Sequence, residues 1–207
     1  MYTLYYLPDA CPLATHVVLN ELGQDVNAID KQKVSDFHNI NPTGMVPVLV
    51  DGNKILREGA AIMLYLLDKH ENTMLPASGP GREQAIQNIM FANASMHKAY
   101  NRLFFASENM ADETIFDEKA KQATFDLAAK KISQLWQVVE DQLATQDFLG
   151  GDTPSAADIM LAVYSRWGAA FPVNIQWGPK VQAMLDSVLA MPSFQDALAV
   201  QQQQSAA

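Results

Sequence analysis

The first third of the chain alternates short β-prone runs with stretches of helical spacing. Residues 3–7 (TLYYL) form a strand-like run that stops at Pro8-Asp9. From Pro12, the apolar positions Leu13, Val17, Val18 and Leu22 keep a helical period up to Gly23. Residues 25–29 predict a weaker second strand, and the polar stretch 30–40 predicts irregular chain with one helical turn. Asn41-Pro42-Thr43-Gly44 carries turn chemistry, and residues 46–50 follow as a strand led by proline. Asp51-Gly52 predicts a hairpin whose return strand is 54–56. Residues 58–70 then place Ala61, Ile62, Tyr65 and Leu66 on one face of a helix. The order is β-α-β-(α)-β-β-α.

Between residues 74 and 81 the chain concentrates Pro76, Ser78, Gly79, Pro80 and Gly81, the densest cluster of helix and strand breakers it contains. Beyond it the strand signals vanish. Residues 82–108, 112–145, 155–171, 179–191 and 193–200 all have helical period. The expected organisation is therefore an α/β domain at 1–75, a linker at 76–81, an all-α bundle at 82–200 and a tail at 201–207. The glutamine run 201–204 predicts that this tail is frayed.

Composition narrows the function. A chain of 207 residues, 49% of them apolar, can bury a sizeable core. Its 14 basic side chains against 23 acidic ones give a charge of −9 with no basic stripe, which argues against nucleic acid and anionic membrane surfaces as partners. No window reaches the roughly 18 apolar residues of a membrane span, and the first residues lack a secretory pattern, so a cytoplasmic location is expected. One cysteine excludes an intrachain disulfide and argues against a thiolate metal cluster. His16, His38 and His70 show no ligand spacing with one another or with Cys11, so no metal is expected.

Cys11 is either a small buried hydrophobe or a reactive thiol, and its place decides for the second. It stands immediately before Pro12, the favoured first residue of a helix. A thiolate there meets free backbone N–H groups and the positive end of the helix dipole, a setting that lowers a thiol's pKa. Val46-Pro47 leaves backbone groups off the ladder at a strand start, either as an ordinary edge-strand proline or as a place where an extended peptide pairs. Glu58-Gly59 opens a helix. There Glu58 either complements the dipole or, with the free N–H groups, holds the ammonium and carboxylate of an amino-acid head group. Ser155-Ala-Ala-Asp158 is a capping-box-like helix start with a structural role. Tyr100, Phe104, Phe105, Trp136, Trp167 and Phe171 fall on helices and are expected mostly in the core.

In order along the chain, Cys11, Asn41-Pro-Thr-Gly-Met-Val-Pro47, Arg57-Glu-Gly59 and Ser155-Ala-Ala-Asp158 resemble the cytosolic glutathione transferase superfamily over nearly the whole length. Residues 4–14 (LYYLPDACPLA) and Ser95-Met-His-Lys98 are most similar to its bacterial beta class. The resemblance implies the glutathione transferase fold, a thioredoxin-like α/β domain followed by an all-α helical bundle. It also implies a cis Pro47, a homodimer, and glutathione as substrate or cosubstrate beside a small electrophilic or disulfide partner. Cys11 and His97 would be catalytic. Ala10, Lys33, Val46, Pro47, Glu58, Gly59 and Lys98 would contact glutathione, with Lys31 as the alternative to Lys33, and Trp167 would line the acceptor pocket. Two departures stand out: the stretch 30–41 is short, and Gly59 replaces a common serine. Both glutathione conjugation and glutathione-dependent thiol–disulfide exchange follow from this reading, and a non-catalytic interaction module is the alternative.

Overall fold

The computed structural model describes residues 1–110, 115 and 117–206. Its first elements are β1 (Tyr2–Tyr6), α1 (Pro12–Glu21), β2 (Val26–Asp30), the short α2 (Phe37–Ile40), β3 (Val48–Asp51), β4 (Lys54–Arg57) and α3 (Gly59–Lys69). The sheet order is β2-β1-β3-β4. β1 runs parallel to β2, with Leu4 opposite Ala28, and antiparallel to β3, with Leu4 opposite Leu49. The β3–β4 hairpin turns through Gly52 at φ +57, a conformation that glycine adopts without a Cβ clash. The polar and apolar alternation of β1 buries Tyr2, Leu4 and Tyr6 on the face that packs on Leu19 of α1 and on Ile62 and Leu66 of α3. On the other face Tyr5 meets the Phe37 ring of α2, centroid to centroid, at 5.6 Å.

The strand expected at 46–50 starts two residues later, because Pro47 has no N–H for the ladder. The linker expected at 76–81 is shorter than its composition suggested. Helix α4 (Gly79–Met90) begins inside it, with Pro80 in the first turn, where a missing N–H costs nothing. A single π-helical turn, Phe91–Met96, interrupts the helix read as 82–108, and α5 (His97–Glu108) continues beyond it. Helix α6 (Glu118–Gln142) is capped by the Asp117 carboxylate. The earlier start expected at 112 lies outside the described residues. Helices α7 (Ala156–Ser165), α8 (Pro179–Leu189) and α9 (Pro192–Ala206) complete the bundle. Among the described residues no helix is long and apolar enough to cross a membrane.

Two helices join the layers. Residues 12–19 of α1 are buried on every side, since α1 packs on the sheet, α3, α7 and α9 at once. Helix α7 is buried throughout residues 156–164. Its start is the expected capping box, in which the Ser155 N–H and hydroxyl both donate to the Asp158 carboxylate, at 2.8 and 2.6 Å. Asp158 also accepts from the Leu149 N–H at 3.0 Å, so it pins the preceding loop to the helix.

The C-terminal run is not frayed at Gln201. Helix α9 continues through it across α1 and β2. Gln201 is 2% exposed, its carbonyl accepts from the Tyr6 hydroxyl at 3.4 Å, and its amide nitrogen lies 3.4 Å from Nδ1 of His16. Packing on one face of the helix overrides the polar composition that predicted a tail. Phe105 is likewise no core residue. It is 50% exposed, because α5 turns Tyr100 and Leu103 inward and carries Phe105 to the opposite side.

Candidate active site

The joint between the sheet and the helices holds two connected cavities that share Cys11, Met45, Val46 and His97. The inner one, about 150 Å³, lies among Cys11, Val46, Pro47, Glu58, Gly59 and Tyr164. The outer one, about 950 Å³, opens between residues 7–11 and Phe104, Trp167 and Ala170. The outer volume is that of a small-molecule site with mostly apolar walls.

Each wall has a local cause. The Val46-Pro47 peptide is cis, which confirms what the resemblance implied. Val46 is half-buried between the turn at 41–44 and β3, and its carbonyl receives the Cys11 thiol at 3.7 Å. Asn41 holds that turn by donating to the Met45 carbonyl at 2.7 Å. Glu58, the residue before α3, has φ +71 and an exposed side chain at the cavity rim. A non-glycine residue in that region costs on the order of 1–3 kcal/mol, and such outliers concentrate at functional sites. At Gly59 a Cβ would meet only ordinary contacts, Asn93 Oδ1 and Pro47 Cγ at 3.7 Å.

The loop at 7–11 is fastened to the helical half. The Asp9 carbonyl accepts from the Trp167 indole N–H at 2.6 Å, and its carboxylate pairs with Arg166 at 2.7 Å. The ion pair is partly exposed and contributes about 0–1 kcal/mol, so the buried indole bond is the firmer tie. Trp167 stands in the outer cavity wall, as does Ala10.

The thiol differs from the expectation. Cys11 does sit at the N-terminus of α1, but desolvation by burial pushes its pKa up to about 12, and the Glu58 charge adds to the rise. A hydrogen bond from its own backbone N–H pulls the other way and is outweighed. His97 and Lys98 bring no positive charge to the inner cavity. His97 lines both cavities, yet its ring is enclosed edge-on by Tyr164 at 5.2 Å and Trp167 at 5.3 Å, and burial lowers its pKa, so it is neutral at pH 7. Lys98 and Lys33 are exposed and line neither cavity. Lys98 follows the inward-turned His97 by one residue, about 100° around the helix. Lys33 lies at the end of the turn Lys31–Lys33, whereas Lys31 reaches the outer cavity and donates to the Gly44 carbonyl at 2.8 Å.

Thr15, Asn93, Met160 and Tyr164 of the inner wall escaped the sequence reading. Their helical spacing is that of core residues. The one available signal was the hydroxyl of Tyr164 at the end of the otherwise apolar run Ile159-Met-Leu-Ala-Val163. Among the described residues no group of three or more His, Cys, Asp or Glu side chains could hold a metal ion.

A sheet of this order, a cis proline beside a strand, and a cavity shared with a helical bundle define a thioredoxin-like domain joined to an all-α one. Residues 6–74 match the family described as "Glutathione S-transferase, N-terminal domain", and residues 122–167 match "Glutathione S-transferase, C-terminal domain". The chain belongs to the glutathione S-transferase family. It is 31% identical over 201 residues to glutathione S-transferase GST-4.5 of Xanthomonas campestris pv. campestris, covering 94% of this chain and 96% of that one. Among solved structures it is similar to a sphingomonad glutathione S-transferase complexed with glutathione, with 29% identity and TM-score 0.81 over 97% of this chain and 98% of that one. It is also similar to a bacterial beta class glutathione S-transferase of Sphingomonas chungbukensis, with 27% identity and TM-score 0.80 over 96% and 98%.

Proposed function

We propose that the protein is a glutathione transferase that holds the γ-glutamyl and cysteinyl parts of glutathione in the inner cavity, and the glycyl end together with an electrophile in the outer one. The convergence of Val46, Glu58, Gly59 and Cys11 on one cavity carries this reading. The Val46 backbone suits the cysteinyl part of the peptide, and the carboxylate of Glu58 with the free N–H groups of α3 suits a γ-glutamyl head. The sphingomonad relative, whose structure is of a complex with glutathione, supports glutathione as the ligand. Lys31 replaces Lys33 as the group offered to the glycyl carboxylate, because it reaches the cavity. The unit of residues 1–75, the helical unit after it, a homodimer and a cytoplasmic location belong to this reading.

The chemistry is transfer. The glutathione sulfur attacks as a thiolate, a carbon–sulfur bond forms, and the leaving group departs with its electron pair among Phe104, Trp167 and Ala170. Cys11 assists as a neutral thiol. Thiol–disulfide exchange needs a Cys11 thiolate. With the thiol pushed up to about 12, only about one molecule in a hundred thousand carries one at pH 7, which supports conjugation over exchange.

Turnover of an activated aryl halide and of a low-molecular-weight disulfide, by wild type and Cys11→Ser, tests this. Conjugation that survives the substitution within about tenfold, with slow exchange by wild type, is the expected result. Conjugation abolished by Cys11→Ser, or exchange outpacing it, would contradict the mechanism. Glutathione binding with no turnover of either substrate would favour an interaction module.

A further inference from the structure

One wall of the outer cavity is a single face of α5. His97, Asn101, Phe104 and Glu108 all line it. Their spacing keeps them within about 60° of one another around the helix, and the row extends about 16 Å along its axis. His97 lines the inner cavity as well, so the row starts beside the place for the glutathione sulfur. Glu108 is its far end. Between them Phe104 meets the Trp167 ring edge-on at 5.6 Å, which gives the middle of the cavity an aromatic wall.

Among the described residues the charged side chains lining this cavity are Asp9, Lys31, Arg166 and Glu108. Asp9 and Arg166 pair with each other at 2.7 Å. Lys31 donates to the Gly44 carbonyl at 2.8 Å and is the group offered to the glycyl carboxylate of glutathione. Glu108 differs from all three. It is exposed, and among the described residues it makes no ion pair and no hydrogen bond. Once a glycyl carboxylate has met Lys31, the cavity is left with one uncompensated negative charge, and that charge stands at the end farthest from the sulfur.

Resting on the transferase reading above, we propose that the outer cavity selects elongated aromatic electrophiles with a positive charge at the end away from the reacting carbon, and that Glu108 is the residue that reads this charge. The aromatic body lies along Phe104 and Trp167, the reacting carbon faces the sulfur near His97, and the cationic end reaches Glu108. A carboxylate there attracts a distal cation and repels a distal anion, so one group supplies both halves of the discrimination. At about 6 Å in water a unit charge changes binding by about threefold in either direction, and exchanging a distal cation for an anion is therefore worth about tenfold. The net charge of −9 favours cations of any length, whereas Glu108 acts only on electrophiles long enough to reach it.

The test compares wild type with Glu108→Gln at saturating glutathione and low ionic strength. The long electrophiles are 4-(bromomethyl)biphenyls carrying trimethylammonium or carboxylate at the 4′ position, and the short ones are benzyl bromides with the same groups at the para position. In each, the glutathione thiolate forms a bond to the benzylic carbon and bromide leaves with the electron pair. The readout is the ammonium-to-carboxylate ratio of kcat/KM, from which intrinsic reactivity cancels when the two proteins are compared. For the long pair this ratio should be about tenfold greater in wild type than in Glu108→Gln, and the difference should shrink as salt is added. For the short pair the ratio should agree between the two proteins within about twofold. Equal long-pair ratios in the two proteins would overturn the role of Glu108. A change as large for the short pair as for the long one would overturn the placement of the charge at the far end. Failure of wild type to turn over any of the four above the uncatalysed rate would overturn the transferase reading, and this proposal with it.

Discussion

His16 should make the fold acid-sensitive in a way that one substitution removes. It lies inside α1, 2% exposed, with Nδ1 3.4 Å from the Gln201 amide nitrogen at the packing of α9 on α1. Desolvation lowers its pKa from 6.5 to about 4. The folded protein therefore keeps the ring neutral where the unfolded chain already binds a proton. Stability is lost as pH falls from about 6.5 towards 4 and levels off below that. The full difference amounts to about 3 kcal/mol, of which about 2 kcal/mol is already lost between pH 7 and pH 5. Urea unfolding of wild type and His16→Asn at pH 7, 6 and 5, at fixed protein concentration, isolates this contribution because every other group titrates in both proteins. Asparagine removes the titration while offering an oxygen to the Gln201 amide. The asparagine variant should lose about 2 kcal/mol less than wild type between pH 7 and pH 5. Parallel pH dependences in the two proteins would refute the assignment of a buried, neutral His16.

Three further predictions concern the site and its support. With its thiol pushed up from 9.0 to about 12, Cys11 should carry about a thousandfold less thiolate at pH 7 than an ordinary cysteine; an iodoacetamide rate that levels off below pH 9 would contradict this. Gly59→Ser should fold normally, because its Cβ meets nothing closer than 3.7 Å, and an added hydroxyl should tighten glutathione several-fold by calorimetry. Ser155→Ala should cost about 0.5–2 kcal/mol in a denaturant titration and leave kcat/KM unchanged, since neither Ser155 nor Asp158 lines the two site cavities.

Most of the chain's architecture was readable where local chemistry and packing agree. The Asp51-Gly52 hairpin, the Pro12 helix start and the Ser155–Asp158 capping box each announce themselves within a few residues, and each occurs as expected. Legibility failed where a neighbour distant in sequence decides. Gln201 looks like a tail residue until α9 is laid across α1 and β2. Cys11 looks like an activated thiol until packing buries the start of α1 and desolvation, with the Glu58 charge, raises its pKa. Lys31 and Lys33 are equivalent in sequence and differ only in which one the turn directs to the outer cavity. Tyr164 and Asn93 were hidden for a related reason. A helix that lines a cavity and a helix that fills a core have the same period, and only tertiary structure separates them.

The central claim is that Val46, Glu58 and Gly59 form a glutathione site, and calorimetry of glutathione with wild type and Glu58→Ala at neutral pH tests it most directly. The account predicts that wild type binds and that Glu58→Ala weakens binding by tenfold or more, a loss of about 1.4 kcal/mol or greater, because the γ-glutamyl ammonium loses its charged partner. Equal affinity in the two proteins, or no binding by wild type, would contradict it.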